Sequence, residues 1–286
     1  MDNSLFYQKI NHLFDSIRVL KNNRTAIRLP YKKVENGEVY IMGNGPSLKQ
    51  SLEYLLHAGE KKKFFAVNDF AVSELFEQVK PCYYILIDNG YWVEESKATE
   101  RDLKLRQIVF NNIIEKTQWS MGVFIPDYAY KKKYFHSLLQ NTKISLIPYN
   151  RYSIKMEHSD YYFRHLEKND TAYFNNVLAN AIYCAINRGF DEINVLGAEH
   201  SWTKDIRVND QNQVCTIKKH FFEDDSELIP WEKSDGTLFS MAELLSALTL
   251  HFQAYDLLEE YAKRKNVHIY NLTSGSFIDA FERKKL

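Results

Sequence analysis

A chain of 286 residues with 45% hydrophobic and 26% charged side chains has the balance of an ordinary folded protein, in one large α/β domain or two small ones. Its 37 basic and 37 acidic side chains cancel, so the basic excess that grips nucleic acid is missing and nucleic acid is not an expected partner. The aromatic share is high at 14%, beside only 10 glycines and 6 prolines, which suits flat, partly polar ligands as well as a large core. No apolar run nears the ~20 residues of a membrane span. The N-terminal stretch has no basic segment leading into an apolar one, so no secretory signal is read there. Three cysteines (Cys82, Cys184, Cys215) include no C-x-x-C pair, against both a disulfide framework and a cysteine zinc site. The expected compartment is a reducing cytoplasm.

In chain order, Phe6, Ile10, Leu13, Phe14, Ile17 and Leu20 recur at helical spacing. Residues 1–36 therefore read as a helical extension, packed on the main domain or laid on a membrane surface. The main domain, residues 37–286, opens with a short buried strand at Glu38–Met42, the run Gly43-Asn44-Gly45-Pro46-Ser47, and a helix over Pro46–His57. Lys63–Val67 reads as a second strand and Ala71–Val79 as its helix. Cys82–Ile87 is a third strand, with the unbroken apolar run of a parallel sheet covered on both faces. Met121–Ile125 and Lys143–Ile147 follow as strands, separated by a helical stretch at Asp127–Leu139. Thr171–Arg188 reads as a helix ended by Gly189, Glu192–Leu196 as a strand, Met241–Lys265 as a long helix and Val267–Tyr270 as the last strand. This alternation predicts an α/β fold with a Rossmann-like, doubly wound, mostly parallel sheet. Pro148–Asp170 and Ser201–Asp235 break the rhythm and read as irregular insertions of the lid type.

In an open α/β sheet ligands lie beyond the carboxyl ends of the strands, and a helix N-terminus offers free N–H groups to a phosphate. Gly43, Asn44, Gly45 and Ser47 stand at such a place, between the first strand and the first helix. Asn68-Asp69 ends the second strand, where a dinucleotide fold often holds ribose hydroxyls, and Asp88-Asn89 ends the third. Each alone reads as a turn; together they point into one nucleotide-sized crevice.

The run I-M-G-N-G-P-S-L-K, followed by strands ending in Asn68 and Asp88, resembles the bacterial sialyltransferases of glycosyltransferase family 42 and the related motility-accessory-factor and domain-of-unknown-function 115 proteins. The likeness continues in A-N-A-I-Y-C-A-I-N-R-G-F-D-E-I-N-V-L-G-A-E (179–199) and V-H-I-Y-N-L (267–272), and spans about residues 38–280. It implies one Rossmann-like domain, a GT-A-like variant, with a lid, a CMP-sugar donor, inverting transfer without a metal, and a histidine general base. By position Asn44 and Gly45 would meet the donor's phosphate and ribose, Asn68 the sugar or ribose, and Asp88 the cytosine. The family carries Asn where Asp88 stands, a Ser-Gly near Asn175-Asn176, and two tyrosines in the loop that here reads Gly197-Ala198-Glu199-His200-Ser201-Trp202.

Such a transfer needs a base for the acceptor hydroxyl, fixed donors for the departing phosphate, and exclusion of water. His200 at the sheet's ligand edge, His220 in the second insertion and His251 on the long helix are the candidates for the base. Ser201 and the Trp202 indole N–H join the start of the first helix as candidate donors. Tyr149, Tyr152, Tyr161, Tyr162, Trp202, Phe221, Phe222 and Trp231 lie in the insertions, where sugar and base stacking would use them. Asn271–Ser276 offers hydroxyls at the same edge, as a turn or as a ligand contact. His200, His220 and the acidic run 223–225 lack the spacing of known metal motifs, so no metal site or cofactor is expected.

The expected function is a glycosyltransferase moving a sialic-acid-like sugar from a CMP-linked donor onto a bacterial surface glycan or glycolipid. It would be cytoplasmic, with peripheral contact at the inner face of the membrane and homo-oligomerisation left open. Two alternatives share the fold: an ATP- and Mg-dependent pyrophosphokinase of the pterin type, and a nucleotide-binding protein without chemistry.

Overall fold

Short apolar strands separated by helices pair side by side, because such a strand hides both faces only when helices cover the sheet above and below. The computed structural model describes His12, Phe14 and residues 32–58, 61–130, 133–151, 156–168, 174–219, 226–233 and 236–286. Its strands are β1 (Glu38–Met42), β2 (Phe64–Val67), β3 (Tyr83–Ile85), β4 (Met121–Pro126), β5 (Ile144–Tyr149), β6 (Glu192–Leu196), β7 (Ile206–Val208), β8 (Val214–Lys219), β9 (Ser226–Pro230), β10 (His268–Asn271) and β11 (Glu282–Arg283). Eight of them form one sheet in the order β11-β10-β6-β1-β2-β3-β4-β5, and every pairing in it is parallel. The chain has a Rossmann-like α/β fold.

Strand periodicity divides the core in two. Val39, Ile41, Phe65 and Val67 face one side and pack with the helices Val177–Arg188 and Met241–Arg264. Tyr40, Met42, Phe64 and Ala66 face the other and pack with Leu48–His57 and Glu100–Lys116. The Val177–Arg188 helix is buried along nearly its whole length, which its run of Ala, Leu, Ile, Tyr and Cys allows. Gly189 ends it in the left-handed conformation (φ 88°), its N–H bonded to the carbonyls of Ala185 and Ile186.

Several local expectations need correction. The helix expected from Thr171 begins at Val177, because the Asn176 side chain caps it. Ala71–Val79 is a 3₁₀ turn at Asn68–Val72 and a single helical turn at Phe76–Val79. Asp127–Leu139 is likewise broken into Asp127–Tyr130 and a 3₁₀ segment at Lys133–Gln140. The helix Glu100–Lys116 went unread, although Thr99 and Asp102 make a capping box and Arg106, Val109, Phe110 and Ile113 a buried stripe.

The insertions are not irregular either. Residues 160–168 form the helix Asp160–Lys168. Within 201–235 the chain builds an antiparallel sheet in the order β7-β8-β9. Val214 from this sheet, Leu244 and Leu248 from the long helix, and the flanking Trp202, Ile206, Trp231 and Phe239 make a small core of their own. The amphipathic helix expected over Phe6–Leu20 lies outside the described residues, apart from His12 and Phe14. At His12 the extension packs on the main domain: the ring stacks on Tyr161 at 4.1 Å, and Nε2 lies 2.7 Å from Glu157 Oε1.

Candidate functional site

The chain runs outward from β1 to β5, then returns to place β6 on the other side of β1. That reversal leaves a crevice between the two loops that follow β1 and β6, the usual ligand position in this fold class.

The two loops are held together by glycines. Gly43 N–H donates to the Leu196 carbonyl and Gly45 N–H to the Gly197 carbonyl, both at 2.8 Å. A Cβ on Gly43 would stand 2.5 Å from Gly197 O, and one on Gly197 (φ 59°) would stand 2.6 Å from Gly43 O. Above Gly45 sits the carboxylate of Glu199, with Oε2 1.6 Å from where a Cβ would be. Its Oε1 accepts the backbone N–H of Ser47 at 2.8 Å, and its Oε2 is buried without a partner among the described residues. The expectation that these glycines admit a phosphate to the helix start is therefore corrected: they admit the second loop. The Ser47 N–H already serves an internal anion.

Beside this junction opens a cleft of about 620 Å³. Gly43, Asn44 and Gly45 line it from β1, Asn68 and Asp88 from the ends of β2 and β3, and Asn175 and Asn176 from the start of the buried helix. His200, Ser201 and Trp202 line it from the loop after β6, and His251 from the long helix. Residues far apart in sequence thus meet in one place.

Two expected members do not. Ser47 lines a neighbouring groove with Gln50, Tyr54 and Thr273, and its hydroxyl is buried without a partner among the described residues. Asp69 lines an adjoining groove with Asn44, Gly45 and Pro46, and its carboxylate accepts the Tyr91 hydroxyl. Asn68, the residue before it, is left-handed (φ 44°). His220, the acidic run 223–225, Tyr152, Phe221 and Phe222 lie outside the described residues.

Asn44 is exposed and makes a single long contact, 3.4 Å from its amide nitrogen to the Val67 carbonyl. Asn68 is buried, and its Oδ1 accepts the Ile87 N–H at 3.3 Å. Asp88 is exposed, yet desolvation by the surrounding cleft raises its pKa; its hydrogen bond with Asn68 and the charge of Arg151 oppose that, and Asp69 adds to it.

The histidines sit against Trp202. The His200 ring lies 4.3 Å from the indole and that of His251 5.7 Å, edge-on. Burial, and then His251, push the His200 pKa down to about 3; burial also lowers that of His251. Both rings are neutral near pH 7. His200 Nδ1 lies 3.1 Å from the Tyr255 hydroxyl, one helical turn beyond His251. His251 Nδ1 is buried and has no partner among the described residues.

Of the insertion aromatics that are described, only Trp202 lines the cleft. Tyr149 and Tyr162 are buried in the main core, Tyr161 holds the extension, and Trp231 joins the small core beside the antiparallel sheet. The hydroxyls after β10 are structural: Thr273 Oγ1 accepts the Ala198 N–H at 3.0 Å and Ser276 Oγ donates to the Ala198 carbonyl at 2.6 Å. They clamp the loop that carries Glu199 and His200. Glu199 and Tyr255 are the site residues that sequence reasoning missed.

Among the described residues no group of three His, Cys, Asp or Glu side chains could hold a metal ion, and no helix is long and apolar enough to cross a membrane. Compared with known proteins, the chain matches no family model and no curated protein.

Proposed function

We propose that the chain is a glycosyltransferase that moves a sugar from a nucleotide-activated donor, CMP-linked and sialic-acid-like, onto a hydroxyl of a bacterial surface glycan or glycolipid. One observation carries this reading. Asn44, Gly45, Asn68 and Asp88, the positions that the family resemblance assigns to the donor, share one cleft at the strand-order reversal with Asn175, Asn176 and two histidines.

The chemistry asked of this cleft is a single inverting displacement without a metal ion. The acceptor oxygen bonds to the anomeric carbon as the bond from that carbon to the phosphate oxygen breaks. The hydroxyl proton passes to a histidine, and the electron pair leaves on CMP. A neutral imidazole is the form able to take that proton. The wall made by Trp202 and the small antiparallel sheet is where water would be excluded. A cytoplasmic enzyme touching the inner face of the membrane would meet lipid-linked acceptors there.

A thermal-shift panel of CMP, CDP, UDP, GDP and ATP, each with and without Mg²⁺, tests the reading, followed by transfer or hydrolysis of a CMP-sugar. Stabilisation by CMP without metal, together with sugar release, is the expected result. Stabilisation by ATP only with Mg²⁺ would replace it with the pyrophosphokinase reading. Binding of CMP with no turnover would leave a nucleotide-binding protein.

A further inference from the structure

We infer that the chain Asn176–Tyr255–His200 fixes the His200 ring proton on Nε2, so that His200 faces the cleft as a hydrogen-bond donor to an anionic oxygen and not as a base. The inference deepens the glycosyltransferase reading and, in its second half, rests on it.

The argument runs along the hydrogen bonds. Asn176 caps the buried helix: its Oδ1 accepts the backbone N–H groups of Leu178 at 2.8 Å and Ala179 at 3.4 Å. Backbone N–H groups only donate, so this amide atom is the oxygen and the other is Nδ2. Nδ2 lies 2.5 Å from the Tyr255 hydroxyl and can only donate to it. The hydroxyl accepts that bond and has one proton of its own to give. His200 Nδ1 lies 3.1 Å away and receives it. A ring nitrogen that accepts carries no proton, so in the neutral imidazole the proton is on Nε2.

Burial supports each link. Tyr255 is 1% exposed, and desolvation raises its pKa far above the ordinary value, so its proton stays in place. The protein environment of His200 disfavours the imidazolium, which alone would place protons on both nitrogens. Among the described residues Nε2 has no partner, it is not enclosed, and the ring lines the cleft. The backbone of His200 is left-handed (φ 47°), a conformation uncommon outside glycine. Clamped by Thr273 and Ser276 through Ala198, the loop has little freedom to turn the ring away.

Ser201 and Trp202 bring donors to the cleft, and the start of the first helix does not add its own. The Ser47 N–H is engaged by Glu199, so a leaving phosphate needs another N–H to stabilise the charge it gains. His200 Nε2–H supplies it through a hydrogen bond, without giving up the proton. The acceptor hydroxyl's proton then goes to His251, the other histidine among the described residues that line the cleft. Tyr255 and Asn176 are positioning residues in this scheme.

Long-range ¹H–¹⁵N correlation spectra of the full chain, labelled at histidine and assigned with His200→Gln, read the tautomer without any ligand. The expected pattern at pH 7 is a protonated Nε2 and an unprotonated Nδ1. Asn176→Asp keeps the cap but replaces the donor with an acceptor, so Tyr255 turns to the new carboxylate and His200 flips to the Nδ1–H form. Tyr255→Phe gives mixed tautomers. An Nδ1–H or imidazolium signal in the wild type overturns the inference, as does an unchanged tautomer in Asn176→Asp. Addition of CMP is expected to shift the Nε2 resonance. If the tautomer is as inferred and CMP leaves Nε2 unmoved, the nucleotide reading falls and the relay stands. With a CMP-sugar, His200→Gln, which keeps an N–H, should retain turnover to within about tenfold, while His200→Ala loses about 10²–10³-fold. Equal losses in the two variants would mean that His200 is the base.

Discussion

The carboxylate of Glu199 accepts the backbone N–H of Ser47 at 2.8 Å, so the turn between the first strand and the first helix is closed by the chain's own anion. A helix start attracts negative charge whatever its source. Here the loop after β6 supplies it, 152 residues on, and the two loops become one unit.

Removing that charge should favour anionic ligands. Glu199→Gln keeps an acceptor for the Ser47 N–H, costs about 1–2 kcal/mol of stability, and is expected to tighten CMP binding several-fold. Calorimetry at low and high salt checks it, because the gain should shrink as salt screens the site. A weaker CMP affinity would mean that the carboxylate touches the ligand directly.

Steric fit, not ligand access, should set the cost at the glycines. Gly43→Ala forces a Cβ to 2.5 Å from Gly197 O, a backbone atom with nowhere to go, and is expected to destabilise by about 1–3 kcal/mol in urea denaturation. Gly45→Ala meets the Glu199 side chain first, with Gly197 O behind it. Adding Glu199→Ala should therefore recover part of the Gly45→Ala loss, with a coupling of about 0.5–3 kcal/mol, and none of the Gly43→Ala loss.

Asn44 and Asn68 should separate binding from folding. Asn44→Ala removes an exposed side chain with one long contact, so CMP binding should weaken by about tenfold while the melting temperature hardly moves. Asn68→Ala removes a buried group bonded to Ile87 in a left-handed backbone, and should lose stability as well. Unchanged CMP affinity in both variants would show that the cleft is not the nucleotide site.

Acid should expose the buried histidines. His200 and His251 both titrate lower in the folded chain than in the unfolded one, where the ordinary value is 6.5. Between pH 6.5 and the folded value of about 3 for His200, the unfolded state binds more protons, so stability falls as pH falls through that window. Above pH 6.5 these groups contribute no slope. His200→Gln should flatten the acid limb of a melting-temperature profile, and a slope identical to wild type would contradict the burial of this ring.

Much of the sheet was legible because a parallel strand covered on both faces is a local signal. Phe64–Val67 and Met121–Pro126 are apolar runs of strand length, and they can be read without knowing their neighbours. Gly189 marked its helix end by the same local logic. The Glu100–Lys116 helix was missed because its exposed face is crowded with Lys, Arg and Glu, and its buried stripe is short. The antiparallel sheet was missed because its strands are brief and its core is completed by Leu244 and Leu248 from another part of the chain.

The amino-acid sequence by itself determined the alternation of strands and helices, the balance of charge, and the strand-end positions of Asn44, Asn68, Asp88 and His200. The tertiary structure decided what those positions do. Asn68 lines the cleft, while Asp69 lines the adjoining groove and is held there by the Tyr91 hydroxyl. The glycines proved to serve a second loop, and the aromatic surplus went mainly to the core, with Trp202 kept at the cleft. Whether His200 accepts or donates is settled by Asn176 and Tyr255, at separations of 24 and 55 residues along the chain. Hydrogen-bond direction is a property of the partner across space, and no spacing along the chain encodes it.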